Sequence, residues 1–98
     1  MKSRRVKKNK YAQAMDATLD LHGYTRAEAD IEVRAFLQDA RAKSYHKVRI
    51  ITGIGVHSEN GMGVLKNYVE NLIYDLGLSY RQAKFGEGGE GAIDVVVR

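Results

Sequence analysis

The chain contains no cysteine. That excludes disulfides and thiolate metal sites and suits a reducing cytosol. Proline is absent as well, and no functional consequence attaches to that. No apolar run approaches the roughly 20 residues that a membrane span needs. No apolar stretch of signal-peptide length follows the basic N-terminus either. These absences predict a cytoplasmic protein with no membrane partner. A chain of 98 residues holds one small domain and leaves no room for a second.

What is present is unevenly distributed. The formal net charge is +4, yet residues 1–10 carry Lys2, Arg4, Arg5, Lys7, Lys8 and Lys10 and no acidic side chain. The other 88 residues hold ten basic and twelve acidic side chains, a formal charge of −2. The basic character therefore belongs to an arm over residues 1–16, followed by a domain over 17–98. Such an arm, with Arg4, Arg5, Lys7 and Lys8 at its centre, suits a polyanion such as nucleic acid. A solubilising terminus fits the same composition equally well.

Residues 17–22 read as a short strand. In a strand, side chains at i and i+2 share a face, so Asp20 and His22 are expected side by side, with Leu19 and Leu21 anchoring the opposite face. Thr25 and Glu28 have capping-box spacing. They open a helix that runs to about Ser44, with Ala29, Val33, Phe36, Leu37 and Ala40 on one apolar face. Lys47 to Ile51 alternates as a strand; Val48 and Ile50 face the core and Arg49 the other side.

Residues 52–63 form a loop with glycines at 53, 55, 61 and 63. A second helix starts near Val64, its apolar stripe being Leu65, Val69, Leu72 and Leu76, and ends at Gly77. A strand centred on Tyr80 to Ala83, a glycine loop over 86–91 and a strand over Ile93 to Val97 complete the chain. The order β-α-β-α-β-β predicts an α/β two-layer sandwich, a four-stranded sheet with two helices on one face. Asp20, His22 and Arg49 then lie on the open face.

Asp20 and His22 suit acid/base chemistry, since histidine exchanges protons near neutral pH with an unperturbed pKa of ~6.5. Taken alone, the triplet reads more simply as a satisfied histidine at a strand end, with Asp20 capping a nearby amide. The loop suits an anion: glycines let backbone amides approach a phosphate, and a helix N-terminus follows. Thr52, Gly53, Gly55, Ser58 and Gly61 would line such a cradle, with Lys66 and Arg49 adding charge. His57 is a second imidazole, either exposed or the opposite acid or base. No ligand spacing typical of a metal site is present. An Mg or Mn ion bridging Asp20 and a phosphate, or metal-free acid/base chemistry, fits equally. No aromatic pair suited to base stacking occupies the expected open face, so DNA and RNA are not distinguished.

Leu19-Asp20-Leu21-His22-Gly23 resembles the LDLHG motif of the Smr (small MutS-related) domain family. Thr52-Gly53-Ile54-Gly55 resembles its second signature, HGxG or TGxG, and Val56 to Gly61 its x-H-S-x-x-G continuation. Gly88 to Ala92 resembles its GGxGA turn. The resemblance covers about residues 17–98. It implies a sandwich like the C-terminal domain of a bacterial initiation factor, nucleic-acid binding and, in many members, endonuclease activity on DNA or RNA. It carries roles in cleavage to Asp20, His22, Gly53 and Gly55, and a functional role to His57. One position departs from the pattern: Ile54 stands where Lys or Arg is frequent, which weakens the case for cleavage more than for binding. The alternatives are a non-cleaving nucleic-acid-binding module and a protein-interaction domain.

Overall fold

The computed structural model describes residues 15–53, 64–84 and 89–97. Strand β1 (Ala17–Asp20) leads through helix α1 (Arg26–Ala42) to β2 (Lys47–Ile51). Helix α2 (Val64–Asp75), β3 (Ser79–Gln82), a 3-10 turn (Gly89–Gly91) and β4 (Ala92–Val96) follow. The sheet order is β1-β2-β4-β3. β1 runs parallel to β2, and β4 is antiparallel to both its neighbours. This is the expected β-α-β-α-β-β sandwich. No helix among the described residues is long and apolar enough to cross a membrane.

Strand alternation builds the core. Ala17, Leu19 and Leu21, Val48 and Ile50, and Ile93, Val95 and Val97 are all buried and belong to one cluster with both helices. α1 contributes Ala29, Val33, Phe36, Leu37 and Ala40; α2 contributes Val69, Leu72 and Ile73. Burying a large aliphatic or aromatic side chain contributes roughly 1.5–3 kcal/mol, so this layer provides most of the driving force for folding. The opposite face carries a row across all four strands. Thr18 pairs with Arg49, Arg49 with Asp94, and Asp94 with Arg81.

Local chemistry sets the helix boundaries. The Thr25 side chain accepts the Glu28 N–H (3.1 Å), and Glu28 Oε1 accepts the Thr25 N–H (3.0 Å). This reciprocal box satisfies two of the orphan amides at the helix start. Both helices end in Schellman motifs. In α2, Gly77 at φ +79° donates to Tyr74 O (2.9 Å) and Leu78 to Ile73 O (3.2 Å). In α1, Ser44 takes the left-handed position at φ +60°, donating to Arg41 O (3.1 Å), while Tyr45 donates to Ala40 O (2.9 Å).

Two expectations need correction. α1 stops at Ala42 and not at Ser44, because Ser44 reverses the backbone. Leu76 is 39 % exposed and Ile73 fully buried. The helix ends at Asp75, so Leu76 already lies in the capping turn and leaves the stripe that helical periodicity assigns to it.

Candidate functional site

Topology collects the sequence motifs at one end of the sheet. The carboxyl ends of the parallel strands β1 and β2 lie side by side, and antiparallel β4 begins there. Leu21 donates to Ile51 O (2.7 Å). Thr52 and Gly53 both donate to Gly91 O, at 2.8 and 3.0 Å. The segment after β1, the segment after β2 and the turn before β4 are thus tied through backbone hydrogen bonds. In open α/β sheets the carboxyl ends of strands are where ligands bind. The first turns of α1 and α2 follow the segments that leave β1 and β2.

Residues 21–24 form a tight turn. Tyr24 donates to Leu21 O (2.9 Å), and Gly23, at the third position, has φ +84°. A type II turn requires positive φ there, which glycine adopts without strain. Nothing lies within 4 Å of where a Gly23 Cβ would be, so glycine is needed for its backbone conformation and not for space. His22 occupies the exposed apex of this turn.

This arrangement corrects the expected strand-face pairing of Asp20 and His22. β1 ends at Asp20, and His22 lies beyond it. Asp20 Oδ1 accepts the backbone N–H of His22 (2.9 Å). The carboxylate therefore secures the turn that presents the imidazole.

The remaining candidates separate into three groups. Thr52 is buried, and its hydroxyl donates to Gly53 O (3.1 Å) and Gly91 O (3.4 Å). With the Thr52 and Gly53 amides also engaged by Gly91 O, neither residue offers a free donor to a phosphate; both lock the loop base to the β4 turn. Arg49 is buried and grips Asp94 through Nε (2.7 Å) and Nη2 (3.1 Å). Its charge is compensated inside the sheet, contrary to the expectation of an available cation. Lys66 Nζ donates to Gln82 Oε1 (3.2 Å), which draws it toward the end of β3.

Gly55, His57, Ser58 and Gly61, the departing Ile54, and Arg4, Arg5, Lys7 and Lys8 of the arm lie outside the described residues. Among the described residues no group of three His, Cys, Asp or Glu side chains could hold a metal ion. Asp20 has one oxygen engaged by His22, and Glu28 has one engaged in the helix cap. The described residues alone thus do not supply the several oxygen ligands that an Mg or Mn ion takes. Asp94, the partner of Arg49, was not anticipated as functional or structural. The signal was a lone carboxylate in the apolar run Ile93-Asp94-Val95-Val96-Val97, which calls for a buried partner.

Comparison with known proteins agrees with this geometry. The Smr domain family model matches residues 19–98. The chain is 31 % identical over 88 residues to the endonuclease MutS2 of Caldicellulosiruptor saccharolyticus, covering 88 % of this chain and 10 % of that protein. It thus spans about a tenth of the length of that MutS2 relative. The Smr domain of Thermus thermophilus MutS2 superposes with a TM-score of 0.73 at 32 % identity, covering 83 % of this chain and 96 % of that one. YdaL, a stand-alone small MutS-related protein from Escherichia coli, gives 0.76 at 27 % identity, covering 96 % and 72 %. With the family model matching most of the chain and the tied motif segments in place, the protein belongs to the Smr domain family.

Proposed function

We propose that this Smr domain binds nucleic acid at the carboxyl end of its sheet and cleaves the phosphodiester backbone there. The observation that supports this most is the backbone tie joining the His22 turn, the base of the 52–63 loop and Gly91. It joins the turn that carries the exposed His22 to Thr52 and Gly53, from which the glycine loop departs. The relationship to MutS2 proteins carrying the name endonuclease supports the same reading.

Cleavage of a phosphodiester requires one proton taken from the attacking oxygen and one given to the leaving oxygen. His22 moves one of these, as an imidazole whose ordinary pKa is ~6.5. Asp20 is a positioning residue: its Oδ1 accepts the amide of His22 and so holds the turn from which the imidazole projects. The complementary proton transfer is assigned to His57. On RNA the neighbouring 2′-hydroxyl serves as nucleophile. On DNA that oxygen is missing and water must attack.

The test is cleavage of matched single-stranded RNA, duplex DNA and branched DNA, each with and without Mg²⁺ or Mn²⁺. His22→Ala is expected to lose cleavage and keep binding. Asp20→Asn keeps an acceptor for the His22 amide and should retain part of the activity, whereas Asp20→Ala should behave like His22→Ala. Normal cleavage by His22→Ala overturns the assignment.

A non-cleaving nucleic-acid-binding module is the second reading. It is favoured by the use of Asp20 Oδ1 on a backbone amide, which leaves His22 without an orienting bond from that oxygen. Retained binding with no cleavage by the unsubstituted chain would select it.

A further inference from the structure

Three cations stand on β3, against it or just beyond it: Lys66, Arg81 and Lys84. Lys66, in the first turn of α2, reaches across to Gln82 Oε1 (3.2 Å), a neutral acceptor, and forms no ion pair among the described residues. Arg81 lies directly across from Asp94, but both oxygens of that carboxylate are taken by Arg49 at 2.7 and 3.1 Å. Lys84 lies two residues beyond the end of β3, and its carbonyl accepts the Gly89 N–H (3.1 Å) at the turn that ends in Gly91. Gly91 is the residue that Thr52 and Gly53 grip.

β3 is an edge strand, and alternation along it puts these charges on both of its faces. Arg81 shares the open face with Asp94 and Arg49, whereas Gln82, which holds Lys66, points to the helix side. An edge strand flanked by cations on both faces, leading to a phosphodiester site, has the form of a backbone track. Strand-edge lysines and arginines also discourage sheet-to-sheet pairing. That role does not account for the tether that brings Lys66 in from α2.

We infer that Lys66, Arg81 and Lys84 form a phosphate track, over which the nucleic-acid strand crosses the β3 edge to reach the His22 turn. This rests on the nucleic-acid reading of the site.

Each phosphate contact on a single strand contributes about 0.7 to the slope of log affinity against log salt. The triple variant Lys66→Gln/Arg81→Gln/Lys84→Gln should therefore lower the slope by about 2. Between 50 and 200 mM salt it should lose roughly 16-fold less affinity than the parent chain. The control is Arg41→Gln/Lys43→Gln at the far end of α1, which should leave the slope unchanged. Binding is measured on single-stranded RNA and on single-stranded DNA of the same sequence, to separate the two sources of phosphate. Circular dichroism checks that each variant is folded. An unchanged slope in the folded triple variant, or an equal loss in the control, overturns the track while leaving the site's function standing. Absence of salt-dependent binding by the parent chain overturns the proposed function, and the track with it.

Discussion

Arg49 and Asp94 face each other on the two central strands and are 7 % and 4 % exposed. Removing two charges from water costs several kcal/mol per ion, which the pair recovers through close bidentate contact. Their bonds, at 2.7 and 3.1 Å, meet that condition. Truncating one partner leaves the other buried without compensation, which costs about 3–5 kcal/mol. Asp94→Ala is therefore expected to lose that much stability in urea denaturation. The double variant Arg49→Met/Asp94→Leu, which removes both charges and keeps volume, should recover most of the loss. A change under about 1 kcal/mol in Asp94→Ala would show that the pair contributes through position alone, as exposed pairs do. The same pair explains why Arg49 is not the phosphate-binding cation that its place on the sheet suggested. Alternation put it on the correct face, but its partner lies 45 residues away in sequence.

At the scale of elements, the two helices are joined by a polar link beside their apolar seam. Tyr68 on α2 donates its hydroxyl to Asp30 Oδ2 on α1 (2.5 Å), and Arg34 Nε donates to Asp30 Oδ1 (2.7 Å). The Tyr68 hydroxyl first, and then Arg34, hold the Asp30 carboxyl below its ordinary value of 3.8. A depressed carboxyl stabilises the fold above its unfolded pKa and loses that contribution as pH falls through the folded one. Tyr68 is shifted the other way, above its ordinary 10.0, chiefly by the same hydrogen bond. That part is complete below pH 10 and disappears as pH rises through the raised value. Tyr68→Phe should therefore lower the melting temperature at pH 7, with the difference from the parent chain closing toward pH 2. A difference independent of pH between 7 and 2 would assign the effect to packing instead. The legibility of the elements has the same boundary. Both helices and all four strands follow from apolar period and capping chemistry, which act over neighbouring residues. The Tyr68–Asp30 bond does not, because it joins positions 38 apart and Asp30 resembles a solvated helix residue. The His22 turn was half legible: the sequence contains the pair and the glycine, but where β1 stops depends on the partner strand. Asp20 capping an amide was the simpler of the two readings of that triplet, and the 2.9 Å bond to His22 N–H is that cap.

On the scale of the whole molecule, the proposed track and the chain entry that follows the basic arm have different places on the sheet. The phosphate track lies at the carboxyl end of β3, at the same end of the sheet as the His22 turn but on the edge opposite β1. The arm joins the domain at the other end, where Asp16 fixes the entry to β1. Its Oδ2 accepts the His46 and Lys47 N–H groups at 2.8 and 3.2 Å, and its own N–H donates to Lys47 O (2.8 Å). Met15 is buried there and, with Lys47, Arg81, Asp94 and Val96, lines a concavity of about 190 Å³ on the open sheet face. Strands of four or five residues are roughly 17 Å long at ~3.3 Å per residue. Fourteen extended residues reach roughly 45 Å, so an arm anchored at Met15 is long enough to pass the site. Six cations on such an arm would add at most about 4 to the salt slope on a single strand, at ~0.7 each. Deleting residues 1–10 removes all six and leaves Met15 and Asp16 in place. The expected result is a shallower salt dependence with an unchanged melting temperature, measured on the same single strands as the track variants. Because the deletion and the track variant remove different cations, and the slope counts the phosphates each set contacts, their slope losses should add. A slope that survives the deletion intact would exclude the arm as a contact and leave β3 as the route to the site.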